Sequence, residues 1–221
     1  MRALHAAVIA LAAIVSPATA AAAWPEVPLP ADSSAEWVSR HMVYNGLDMR
    51  ARRFRSGSTP EQAIAFYREA WGERMVQDQV GRKTVLGHLA DGHYVTVEIE
   101  PAGGATRGTV GIMRIPDGPL REPPGHGFAR PAGSEVVNDI RYLDTPSPVR
   151  TLVLTNRHSP YVNQQFYRQR LAAQGWTPRP GACAAASSAC VADFEKPGGA
   201  RMRMSIRRDG DARTVVVANL E

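Results

Sequence analysis

The stretch Ser159–Arg170, SPYVNQQFYRQR, is a second spelling of Thr59–Ala70, TPEQAIAFYREA. Thr59-Pro60 is answered by Ser159-Pro160, and Phe66-Tyr67-Arg68 by Phe166-Tyr167-Arg168, each pair 100 residues apart. A hydroxyl residue followed by proline suits an N-cap and the first position of a helix, where a missing N–H costs nothing. Ala63, Phe66, Tyr67, Ala70 and Trp71 then share one face at 3.6 residues per turn. The spelling predicts the same amphipathic helix twice.

The surroundings repeat as well, which predicts a repeated unit rather than a repeated helix. Before the first helix, HMVYNGLDMRARRFRS carries Asn45-Gly46 between two β-rich runs, the composition of a type I′ hairpin turn. Before the second, EVVNDIRYLDTPSPVRTLVLTN gives two strand-like runs around a longer Asp/Pro turn. After the first helix come KTVLGHLADGHYVTVEIE, with a turn at Asp91-Gly92, and RGTVGIMRI. After the second come CVADFEK, ARMRMSIRR and RTVVVANL. Val95, Val97 and Ile99 correspond to Met202, Met204 and Ile206, so the second copy is longer between helix and strand. An insertion at a hairpin tip costs little loop entropy.

The expected fold class is therefore α+β: a tandem duplication of a ββαβββ unit, one helix packed on a curled antiparallel sheet in each of two domains. The order and proportions resemble the helix-grip type of domain. That resemblance is topological, and it implies an accessory role in bacterial envelope machinery, where exported tandem helix-grip proteins occur. The expected divisions are a signal peptide at 1–23, a first domain at 24–116, a Pro/Gly-rich linker at 117–133 and a second domain at 134–221.

The amino terminus has the three parts of an export signal. Arg2 is the basic start, Ala6–Val15 the apolar run, and Ala18-Thr19-Ala20 or Ala21-Ala22-Ala23 the small-residue cut. The expected location is the periplasm or the exterior. In such a compartment Cys183 and Cys190, the only two cysteines, are expected to form one disulfide. Closing so short a loop is worth about 2.5 kcal/mol of chain entropy. Residues 24–116 balance 11 basic against 11 acidic side chains, whereas 117–221 hold 14 against 10. An excess of this size argues against nucleic acid and favours anionic partners mildly.

Four sets of residues stand out. Asn163 and Arg170 interrupt the apolar face of the second helix where the first has Ala63 and Ala70. Either the helix tilts and Arg170 extends to water, or helix and sheet part to leave a groove for an anionic or peptide carboxylate ligand. Arg201, Arg203 and Arg207 alternate with Met202, Met204 and Ile206, so three guanidiniums share one strand face. That face is either a solvated exterior or a binding surface for phosphate, sulfated sugar or acidic peptide. His88 and His93 lie diagonally across the Asp91-Gly92 hairpin, but no third metal ligand is placed beside them. The Cys183–Cys190 loop is preorganised for insertion into a hydrolase, although its alanines and serines offer no anchor.

The recognised signatures of nucleophile elbows, phosphate loops, dinucleotide folds and zinc helices are missing from the chain. No cofactor or metal is expected. The function expected is a non-catalytic binding or adaptor module of the bacterial envelope, acting through protein or peptide contacts. The alternatives are an inhibitor acting through the Cys183–Cys190 loop and an enzyme without a recognisable motif.

Overall fold

The structure is a computed structural model and describes residues 23–181, 183–210 and 212–221. The signal-peptide reading of the first 22 residues lies outside them. The first half forms β1 (Ser33–Tyr44), β2 (Leu47–Ser56), α1 (Pro60–Trp71), β3 (Val76–Val80), β4 (Lys83–Ala90), β5 (His93–Ala102) and β6 (Ala105–Arg114). The second forms β7 (Glu135–Tyr142), β8 (Val149–Asn156), α2 (Pro160–Ala172), β9 (Thr177–Pro178), β10 (Ala189–Glu195), β11 (Arg201–Asp209) and β12 (Arg213–Leu220).

Local chemistry accounts for these elements. Asn45 and Gly46 take φ of 50° and 87°, Asp91 and Gly92 take 47° and 72°, and each pair turns a hairpin. Thr59 caps α1 by accepting from the Gln62 amide, while the Gln62 side chain accepts from the Thr59 amide. Ser159 caps α2 through the Val162 amide alone, since valine has nothing to return.

The fold class differs from the expectation. The strands form one twelve-stranded antiparallel sheet, ordered β3-β4-β5-β6-β2-β1-β7-β8-β12-β11-β10-β9, rather than two sheets each curled about its own helix. Strand occupies 49% of the described residues and helix 14%. Helices of 12 and 13 residues are roughly 20 Å long, against a sheet about 50 Å across. Two such helices cover only parts of one face. The two half-sheets fuse where β1 pairs with β7, Met42 opposite Tyr142, Val43 opposite Arg141 and Tyr44 opposite Ile140. Both would otherwise be bare edges, and pairing them satisfies their backbone groups. Asn45 extends the seam, its amide donating to the Asp139 carbonyl at 2.8 Å while its side-chain oxygen accepts from the Asp139 amide at 2.8 Å. At the other end Asp144 accepts from the Arg40 amide and the Ser39 hydroxyl.

Apolar side chains gather in two clusters on the helix-bearing face. One places Tyr67, Ala63 and Trp71 over Leu86, Val95, Val97, Ile99 and Val110. The other places Tyr167 and Leu171 over Leu152, Leu154, Met202, Met204, Ile206 and Val216. The Phe–Tyr pairs are matched, with ring centres 5.1 Å apart in α1 and 5.2 Å in α2, both edge-on. Each helix shares its face with an extended strap. In the first half Trp24–Pro30 runs across, burying Val27 and offering the Pro28 carbonyl to the Tyr67 hydroxyl at 3.0 Å. In the second the strap is part of the Pro/Gly-rich segment, which brings Phe128 to Tyr167 and the Gly125 amide to Asp139.

Candidate functional site

Asn163 is fully buried and fully used. Its side chain exchanges two hydrogen bonds with that of Asn156, at 2.8 and 3.0 Å, and donates also to the His158 and Ser159 carbonyls. Arg170 lies two turns further along α2 and is exposed. Arg201, Arg203 and Arg207 project from the back face of β11, the side away from the helices, with Met202, Met204 and Ile206 buried between them. Arg201 and Arg203 border a 470 Å³ cleft together with Arg179, Asp193 and Glu221. Arg203 lies 3.6 Å from Asp193, and Arg179 holds Glu195 at 2.7 Å. Arg207 lies outside that cleft, opposite Ala189 and Val215. The structure thus brings two of the three strand arginines together, beside carboxylates, and leaves Asn163 and Arg170 on the other face of the sheet.

Cys183 and Cys190 are bonded, with Cα atoms 5.4 Å apart, and both sulfurs belong to the second core. Ala184–Ala186 are exposed above them. The hairpin register puts His88 opposite Val95 and Ala90 opposite His93, but each imidazole is claimed by an indole. His88 stacks on Trp71 at 4.9 Å, and His93 packs at 4.9 Å from Trp24 while its Nδ1–H donates to the Asp91 carbonyl at 2.7 Å. Among the described residues no three His, Cys, Asp or Glu side chains gather for a metal, and no helix is long and apolar enough to cross a membrane.

Two features escaped the sequence reading. The first is β3, which ends the sheet. All five of its residues are exposed, with Val76 at 61% and Val80 at 59%. Val80 and Lys83 flank a two-residue turn, so they form a bonded pair with β4. By alternation the backbone groups of Gln77 and Gln79 then point outward. Asp78 takes up the Gln79 amide at 2.7 Å, leaving Gln77 as the open donor. The sheet's other end is closed by contrast. There β9 is two residues long, contains Pro178, and is followed by the Arg179–Glu195 pair.

The second is a cluster of arginines and indoles. Arg50 and Arg52 alternate with Ala51 on β2, and their partners Ile112 and Val110 belong to the first core, so both guanidiniums lie on the helix-bearing face. Arg50 lies 4.5 Å from the centre of the Trp24 ring. Trp37 has Arg40 at 4.7 Å and Arg52 at 5.9 Å. Arg52 also donates to the Val27 carbonyl of the strap. The Nε atoms of Arg50 and Arg52 are buried without hydrogen-bond partners. The pattern RARR reads as a solvated strand in isolation; only the fold shows which side of the sheet it faces.

No protein-family profile, curated protein or solved structure matches this chain.

Proposed function

We propose that the protein is an exported, non-catalytic binding protein of the bacterial envelope that takes up an extended segment of a partner protein along β3. The single supporting observation is the contrast between the two ends of the sheet. An edge strand presents a ready row of unpaired backbone groups, and proteins usually blunt it with proline, charge or shortness. β9 is blunted in two of these ways, whereas β3 is a full strand with two exposed valines on the back face. The incoming strand supplies backbone bonds to Gln77 and sets its own apolar side chains beside Val76 and Val80. The disulfide is compatible with an oxidising compartment.

The test is capture from envelope extract by the full mature chain and by its Gln77→Pro variant. Proline at this outward-facing position removes the open donor without removing a bond to β4. A stoichiometric partner held by the wild type and lost by the variant supports strand addition. Recovery of no partner, or equal recovery by both proteins, overturns it. Sedimentation of the purified protein identifies the remaining outcome, pairing of β3 with a second copy of itself.

A further inference from the structure

The corresponding strands of the two halves can be compared residue by residue. Phe54, Arg52 and Arg50 of β2 face Gly108, Val110 and Ile112, while Leu154, Leu152 and Arg150 of β8 face Val216, Ala218 and Leu220. Arg52 thus holds the place that fully buried Leu152 holds in the other half. Arg50 matches Arg150, whose guanidinium is neutralised by Asp139 through bonds of 2.8 and 2.9 Å and donates to the His126 carbonyl. Arg50 and Arg52 form no ion pair among the described residues. A cation at a core position without a counter-ion is costly unless something else neutralises it.

Beside these guanidiniums lies a recess of about 270 Å³, walled by Trp24 and Trp37, with Ile112 on its floor and Glu26 among its lining residues. We infer that this recess binds the oxyanion of a small ligand, a carboxylate or phosphate on a body no larger than a monosaccharide. The planar forks of Arg50 and Arg52 match the paired oxygens of such groups, and both buried Nε–H groups need an acceptor. The two indoles supply the apolar walls, and the volume lies just below the usual range for ligand pockets, which limits the ligand's size. The Glu26 carboxylate opposes a second negative charge and weakens binding.

Tryptophan emission of the full mature chain reports directly on occupancy, because Trp24 and Trp37 form the walls. The probes are inorganic phosphate, glucose 1-phosphate, glucuronate and neutral glucose. Saturable change with any of the anions, absent with glucose and weakened by added salt, is the expected result. Arg50→Gln, which gives up the contact with the Trp24 ring but keeps the Arg52–Val27 bond to the strap, is expected to weaken binding about tenfold, and Arg52→Lys several-fold, since lysine keeps charge but loses the fork. Glu26→Gln is expected to tighten it. No saturable response to any anion, an equal response to glucose, or an Arg50→Gln variant that binds like wild type overturns the assignment. This outcome is independent of β3, because loss of anion binding leaves capture through Gln77 unaffected.

Discussion

The two halves of the sheet share strand order and Phe–Tyr helices, yet they settle their polar groups differently. In the second half nearly every buried polar group is satisfied from within. Asn156 and Asn163 bond each other, and Arg150 bonds Asp139. In the first half the places of Asn156, Asn163 and Arg150 hold Ser56, Ala63 and Arg50, while Arg52 takes the place of Leu152, and the Nε atoms of both arginines have no hydrogen-bond partner. Phenol groups reverse the pattern: Tyr67 donates to Pro28, whereas the Tyr167 hydroxyl is buried without a partner. A repeated framework lets each copy act as the control for the other. Where one copy fills a position with leucine and the other with arginine, the framework alone does not require the charge.

Substitutions that convert one half toward the other sharpen this comparison. The largest effect is expected at Gly108, where an added Cβ would sit 2.3 Å from the Phe54 ring and 2.7 Å from the Glu98 carbonyl oxygen. The second half solves the same site with Leu154 and Val216. Gly108→Val is expected to destabilise by about 3 kcal/mol, with Phe54→Leu on top recovering part of the loss, as read by urea unfolding. A single variant as stable as wild type breaks the equivalence of the two strand pairs.

Asn163→Ala makes α2 resemble α1 at its most buried polar site. It removes both bonds to the Asn156 side chain, which keeps Ser134 and the His158 amide as partners, and is expected to cost about 2 kcal/mol. Adding Asn156→Ser, the residue of the first half, is expected to return a part of that in thermal denaturation.

Acid should act on the seam and on the strap of the second half. Burial by itself raises the Asp139 carboxyl, but hydrogen bonds from Arg150 and the Gly125 amide outweigh it and hold the group below the usual carboxylate range. The Arg40 amide and the Ser39 hydroxyl hold Asp144 low as well. A lowered value in the fold means the stabilisation is complete above about pH 4 and is lost as pH falls below it. Unfolding free energy measured between pH 6 and 2 should decline, and Asp139→Asn should flatten that decline. An unchanged slope in the variant would remove Asp139 as a source of acid lability.

The smallest effects separate the two phenols. Tyr67→Phe gives up a bond to the strap and is expected to cost about 1 kcal/mol, whereas Tyr167→Phe removes an unpaired hydroxyl and should be neutral or slightly stabilising. Equal losses in both variants would show that Tyr167 has a partner in solution.

Local pattern carried much of this fold. The hydroxyl–proline caps, the Asn45-Gly46 and Asp91-Gly92 turns and the alternation of Arg201–Arg207 depend on neighbours in sequence, and each appears where its residues suggest. The seam does not work that way. Nothing in HMVYN or NDIRY says that β1 and β7 will pair, because that contact spans about a hundred residues and is chosen by two edges meeting. The error in fold class follows from that contact. The Pro/Gly-rich stretch likewise reads as a spacer, although Gly125 and Phe128 reach the second half's polar and aromatic groups. VQDQV carries a weak strand signal, and its importance comes from its place at the sheet's end. The alternation of Arg50, Ala51 and Arg52 does not say which face of the sheet the arginines take, because the register that turns them toward the core is set by β6.

Arginine Nε–Hε resonances give the most direct reading of the contrast between the halves. Titration with glucose 1-phosphate is expected to move the signals of Arg50 and Arg52 saturably, while that of Arg150, already bonded to Asp139, stays in place. Signals of Arg50 and Arg52 that do not respond, or all three moving together without saturation, would contradict the view that the first half keeps its charge open for a ligand.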